Sequence, residues 1–165
     1  YKRQLLDLQP LTFTSMSLNP ILLLCLRIIA SFCGVFGFSI MFNSTIPMAA
    51  IAALIGAVAN TFRLELIDFT GMPPAAAAFI GALSAGLLAS EIKKNNGYPR
   101  ISLTVPSIVI IVPGLYLYRA IYNFGIMSLT EAVSWFTSAI MIIIMLPLGL
   151  IFARILTDRT FRFCT

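Results

Sequence analysis

Val105-Pro106-Ser107-Ile108-Val109-Ile110-Ile111-Val112-Pro113-Gly114 is a membrane-grade apolar stretch with two prolines and a glycine where a helix needs an intact hydrogen-bond ladder. Each proline lacks a backbone donor, and its ring clashes with the carbonyl four residues earlier. In hydrocarbon, a backbone group without a partner is costly unless protein, water or a ligand satisfies it. The stretch therefore predicts a broken backbone, shielded from lipid and placed where something polar can reach it. Secondary transporters bind solutes at interrupted helices of this kind. The freed acceptors are expected at the carbonyls of Ser102 and Val109. A half-helix starting at Pro113-Gly114 would present amides without intrahelical partners, at the positive end of its dipole, to a carboxylate or phosphate. The alternative is a structural kink covered by neighbouring helices.

The rest of the chain is of one kind with this stretch. Of 165 residues, 59% are hydrophobic and 10% charged, with a mean hydropathy of +0.98. A soluble domain carries about 25% charged residues, so this composition cannot cover a water-facing surface. Residues 28–62, 69–90, 101–118 and 132–153 carry no charge, and about 20 apolar residues cross a bilayer. The fold class is an all-α integral membrane protein, a bundle of about five transmembrane helices whose fourth segment is proline-broken. Residues 1–18 read as a juxtamembrane segment, 19–156 as the transmembrane domain and 157–165 as a basic tail. No short apolar core with a small-residue cleavage site follows Tyr1, so the start is not a signal peptide. A start at Tyr1 leaves open that the chain is the back part of a longer polypeptide.

The spans are expected at 20–42, 46–62, 74–90, 101–123 and 130–155. A turn at Asn43-Ser44-Thr45 divides 35 uncharged residues. A polar loop from Arg63 through Glu65 and Asp68 ends the second span, and a charged loop follows the third. Ala77, Gly81 and Ala85, with Ala78, Ala82 and Gly86 beside them, give the third span a smooth face for close packing. Pro147 is expected to kink the fifth, and Trp135 reads as an interfacial anchor. Arg27 either snorkels to the interface or faces the bundle. Five crossings put Lys93, Lys94, Arg100, Arg154, Arg159 and Arg162 on one side. Lys2, Arg3, Arg63 and Arg119 fall on the other, with Arg27 as well if it snorkels, a margin too thin to fix orientation.

The net charge of +5, without histidine, sits at the ends of apolar spans rather than in a basic patch interleaved with aromatics, which argues against nucleic-acid binding. Zinc-dependent HExxH chemistry and a Ser-His pair are absent, as is a Walker lysine, so neither catalysis nor a cofactor is expected. Cys25, Cys33 and Cys164 have no metal spacing and read as buried, inert thiols. The candidate solute contacts are Pro106, Ser107, Pro113, Gly114, Tyr116, Tyr118 and Arg119. Arg119 would pair with a substrate carboxylate or with Glu131, the alternative being a tyrosine–arginine belt at the interface. Asn60, Arg63, Glu65 and Glu131 are candidates for gating or coupling, set against ordinary loop charges and helix-to-helix hydrogen bonds.

The ordered set Phe42-Asn43, Pro47, Gly56, Arg63, Gly71, Pro99, Val105-Pro106, Val112-Pro113-Gly114 and Tyr118 resembles the threonine/serine exporter family, over residues 36–153. It is most similar to the C-terminal half of fused members or the small subunit of split ones. The most specific part is the Pro-x6-Pro-Gly segment followed by Tyr118. Leu115 stands where some members have a second glycine. The resemblance implies an exporter of threonine- and serine-type amino acids, or of dicarboxylates such as succinate, in the cytoplasmic (inner) membrane. It also implies a second membrane module, before this one or on a partner chain, and a homo-oligomer stays open. A non-transporting scaffold for a partner's pathway and a passive channel are the competing readings.

Overall fold

A computed structural model describes residues 20–97 and 99–158. Among them every regular element is a helix: α1 (Pro20–Met41), α2 (Ile46–Thr70), α3 (Pro74–Asn96), α4 (Arg100–Val109), α5 (Gly114–Gly125) and α6 (Leu129–Thr157). Four of these are long and apolar enough to cross a membrane. The α4–α5 pair, bent by 41° at its break, makes a fifth if it is one span. Residues 1–19, Tyr98 and 159–165 lie outside the description, and with them the expected juxtamembrane segment, most of the basic tail, Lys2, Arg3, Arg159, Arg162 and Cys164.

Local chemistry sets the helix ends. Asn43 takes a left-handed conformation, φ 57°, which asparagine tolerates, and turns the chain from α1 into α2. Thr45 then precedes α2 in an extended conformation with Pro47 in the first turn, where its missing donor costs nothing. Gly71 closes α2 at φ 62°, its amide donating to the Ile67 carbonyl. Gly97 does the same for α3 at φ 70°, with the Lys93 carbonyl as acceptor. Both are left-handed C-caps of the kind glycine provides without strain.

Contacts fix the directions. Ser31 meets Asn60 and Val35 meets Gly56, so α1 and α2 are antiparallel. Ser107 reaches Ala52 and Arg63 reaches Ile111, so α4 runs parallel to α2. Arg100 pairs with Asp158, joining the start of α4 to the end of α6. Small residues make the crossings. An added Cβ on Gly56 would come within 2.6 Å of Val35 and 3.1 Å of the Ser107 carbonyl, so α1, α2 and α4 converge there. On Gly149 it would lie 2.6 Å from the Phe79 carbonyl, and on Gly86, 2.6 Å from Ala153 Cβ. The smooth face expected on α3 is buried throughout: Ala77, Ala78, Gly81, Ala82, Ala85 and Gly86. Without a hydrophobic drive between helices in lipid, such close approach supplies the dispersion that holds them.

Several expectations are corrected. The second span does not end at 62. Arg63, Glu65 and Asp68 are helical, because Arg27 neutralises the two carboxylates, 3.0 Å from Glu65 and 2.6 Å from Asp68. Arg27 is thus an interhelical ion-pair partner. The charged loop after α3 is mostly helix, up to Asn96. The break occurs at one proline only, since Pro106 lies inside α4. Pro147 lies inside α6. Cys25 and Cys33 are exposed on α1, not buried.

Candidate functional site

The break spans residues 110–113. As α4 ends, the Ile111 amide donates to the Ile108 carbonyl at 2.9 Å and the Val112 amide to the Val109 carbonyl at 3.2 Å, a tightening to three-residue turns. Pro113, buried, adopts φ −78°, ψ 53°, and the Gly114 amide donates back to the Val112 carbonyl at 2.8 Å. That is an inverse γ-turn centred on proline. α5 begins with the Leu117 amide on the Pro113 carbonyl at 3.1 Å. The amides of Leu115 and Tyr116 precede that first closed turn and have no partner within the helix. The Val109 carbonyl, expected to be free, is therefore taken by Val112. The acceptor left for another element is that of Ile111.

The group that takes it is Arg63. From α2 its Nη1 donates to the Ile111 carbonyl at 3.4 Å, the long end of hydrogen-bond range. Its Nε is buried and has no partner among the described residues. Tyr116 packs against the same apolar cluster as Ile111. Gly81 makes the space: an added Cβ there would sit 3.2 Å from Arg63 Cβ and 3.4 Å from Ile111 Cδ1. Arg63 is seven residues from the end of α2 and Gly81 seven from the start of α3, about 10 Å of helix rise in each case. The site thus lies inside the bundle. The other described arginines all have compensation. Arg27 has Glu65 and Asp68, Arg100 and Arg154 share Asp158, and Arg119 lies 4.7 Å above the Trp135 ring. Arg63 has neither a carboxylate nor a ring face among the described residues. A charged side chain at membrane depth costs about 2.5–3.5 kcal/mol on the lowest scales, so a cation held by one long neutral hydrogen bond is only partly compensated.

The remaining candidates divide. Tyr116 is half-buried, its ring 5.6 Å from that of Trp135, so Tyr116, Trp135 and Arg119 form one cluster between α5 and α6. Arg119 engages this ring instead of Glu131, which is exposed in the first turn of α6. Tyr118 is 51% exposed and stacks on Tyr122, away from the cluster. Gly114 is exposed and open. Pro106 and Ser107 are fully buried. The Ser107 hydroxyl lies 2.6 Å from the Leu103 carbonyl and 2.9 Å from that of Ala52, a tie between α4 and α2. Asn60 donates to Ser31 Oγ at 2.9 Å, another tie between helices. Glu65 belongs to the Arg27 cluster. Only Pro113, Gly114, Tyr116 and Arg63 are gathered at the break, with Arg119 behind them.

A groove of about 410 Å³ lies elsewhere, lined by Pro73, Pro74, Ala75, Ser134, Thr137, Ser138 and Met141. It presents no charged side chain, and the Thr137 and Ser138 hydroxyls donate to their own helix. A smaller one of about 200 Å³ adjoins Ser44, Ser102 and Pro106, the side on which Pro106 deprives the Ser102 carbonyl of its ladder partner. Neither the Ile111 carbonyl nor the Trp135 platform was legible in the sequence as part of the site. The only trace was that Trp135 lies one short loop beyond Arg119.

The chain matches a family model described as threonine/serine exporter, ThrE, over residues 27–156. No curated protein and no solved structure matches it.

Proposed function

The chain belongs to the threonine/serine exporter family, a family of membrane transporters, and from that premise we propose that solute binds at the break between α4 and α5. The carrying observation is the main chain at residues 110–113. It leaves its ladder and sets the Ile111 carbonyl, outside any helical ladder, against the part-buried Arg63 guanidinium. Amides at a helix start favour an anionic group, and threonine, serine and succinate all bear a carboxylate. Threonine- and serine-type amino acids are the favoured cargo, with dicarboxylates the second class. Tyr116 lines the site, and the Arg119–Trp135 cluster braces α5 behind it. The chain works with a second membrane module, in the cytoplasmic membrane, and the small-residue seams of α2 and α3 let helices rock against one another.

The test is counterflow of labelled threonine and of labelled succinate in proteoliposomes holding the chain together with its second module. Saturable counterflow is expected, and its absence alongside unsaturable flux would mean a channel. Pro113→Ala combined with Gly114→Ala restores a continuous ladder and is expected to lower the maximal rate at least tenfold. An unchanged rate would make this chain a scaffold for its partner's pathway.

A further inference from the structure

Within the site just proposed, and resting on that reading, we propose that Arg63 is the carboxylate receptor of the transported solute. In the empty protein it is held against the Ile111 carbonyl that the break sets free. Three observations converge. The guanidinium is inside the bundle, yet among the described residues it has no ion pair, whereas Arg27, Arg100 and Arg154 each have one. Among the described residues its one hydrogen bond is long, and its Nε is buried without a partner. Gly81 lets α3 pass close to the Arg63 stem, where an added Cβ would sit 3.2 Å from Arg63 Cβ.

A guanidinium offers five donors in a planar fork that matches a carboxylate in a two-bond arrangement. Among the described residues only one donor is used here, on a neutral acceptor. A carboxylate arriving between Arg63 and the start of α5 would take two guanidinium donors and the amides of Leu115 and Tyr116. It would replace one weak neutral bond by charge-assisted ones. Arg63 then changes partner on loading, leaving the Ile111 carbonyl and with it the tie between α2 and the bend.

Glutamine separates the two roles of the residue, because its amide still donates to a carbonyl but carries no charge. In counterflow with the complete exporter, Arg63→Gln is expected to raise half-saturation for threonine at least tenfold. It is also expected to abolish the preference for threonine over threonine amide as a competitor. Arg63→Lys, which keeps charge but loses the fork, should fall between. Wild-type half-saturation and wild-type preference in Arg63→Gln would overturn the proposal. If Arg63→Gln does not yield folded protein, Gly81→Ala is the second arm. It crowds the Arg63 stem and Ile111 while leaving the charge, and is expected to raise half-saturation a few-fold at unchanged maximal rate. Unchanged half-saturation there overturns the proposal equally. A wild type that moves neither threonine nor succinate removes the exporter reading itself. A wild type that moves them beside an unaffected Arg63→Gln removes this assignment alone.

Discussion

Along one flank α3 meets α6 through Gly86, Gly149 and Ala153, with the Phe79 carbonyl close to Gly149 and Ala153 Cβ close to Gly86. Along its other flank Gly81 faces Arg63 and Ile111 across space that a single methyl would crowd. Both flanks use small residues at helical spacing, and sequence alone treats them as one smooth face. They differ in what the missing Cβ admits. On the α6 flank it admits a neighbouring backbone, and the consequence is cohesion. On the α2 flank it admits a charged stem and a carbonyl outside any helical ladder, and the consequence is a polar site inside an apolar bundle. The same residue type therefore serves stability at one place and solute recognition at the other, and substitutions should separate the two.

The largest effect is expected on the cohesive flank. Gly149→Ala places a Cβ 2.6 Å from the Phe79 carbonyl and 2.9 Å from Ala82 Cβ. Neither can rotate away, so α3 and α6 must part. Overpacking of a fixed interior costs about 1–3 kcal/mol. The expected result is a clear fall in the thermal midpoint of detergent-purified protein, with half-saturation of any surviving activity unchanged. A shift in half-saturation instead would mean that the two flanks are coupled and the division drawn above is wrong.

Next comes the support behind the polar flank. Trp135→Leu removes the ring under Arg119 and beside Tyr116. A cation over an indole contributes about 0.5–1 kcal/mol at exposed sites and ~2 kcal/mol when desolvated. A smaller loss of thermal stability than for Gly149→Ala is expected, together with a lower maximal rate, because α5 loses the contact that fixes its start. If the maximal rate holds, Trp135 is an interfacial anchor and nothing more.

These contrasts also mark what could be read from the chain in one dimension. Helices were legible because charge-free runs of bilayer length are a one-dimensional signal, and the bent fourth segment followed from proline lacking a donor. Which proline breaks the chain was not legible. Pro106 and Pro113 are alike in sequence, but Pro106 is buried beside Ser107, whose hydroxyl binds carbonyls of α4 and α2, while Pro113 is followed by a glycine with open space around it. The extent of α2 was misread for a related reason. Arg63, Glu65 and Asp68 look like a loop until Arg27, 36 residues before Arg63 in the numbering, turns out to neutralise the carboxylates across the helix pair. The tie between Arg63 and the break joins residues 48 apart through a main-chain atom, and no side-chain pattern announces a main-chain acceptor.

The smallest expected effect tests whether glycine matters by position or by mere presence. Gly37 lies in α1, exposed, with nothing within 4 Å of an added Cβ. By the reasoning applied to Gly149 and Gly81, a methyl here meets no backbone and no charged stem. Alanine is favoured over glycine by up to about 1 kcal/mol in a helix interior. Gly37→Ala should therefore leave half-saturation and maximal rate unchanged and hold or slightly raise the thermal midpoint of the purified chain. The informative comparison is between the chain alone and the chain assembled with its second module. Stability kept in the first but assembly lost in the second would show that this outward face of α1 is itself a close-packed seam. Gly37 would then join Gly149 on the cohesive side of the division, with a helix from another chain as its neighbour.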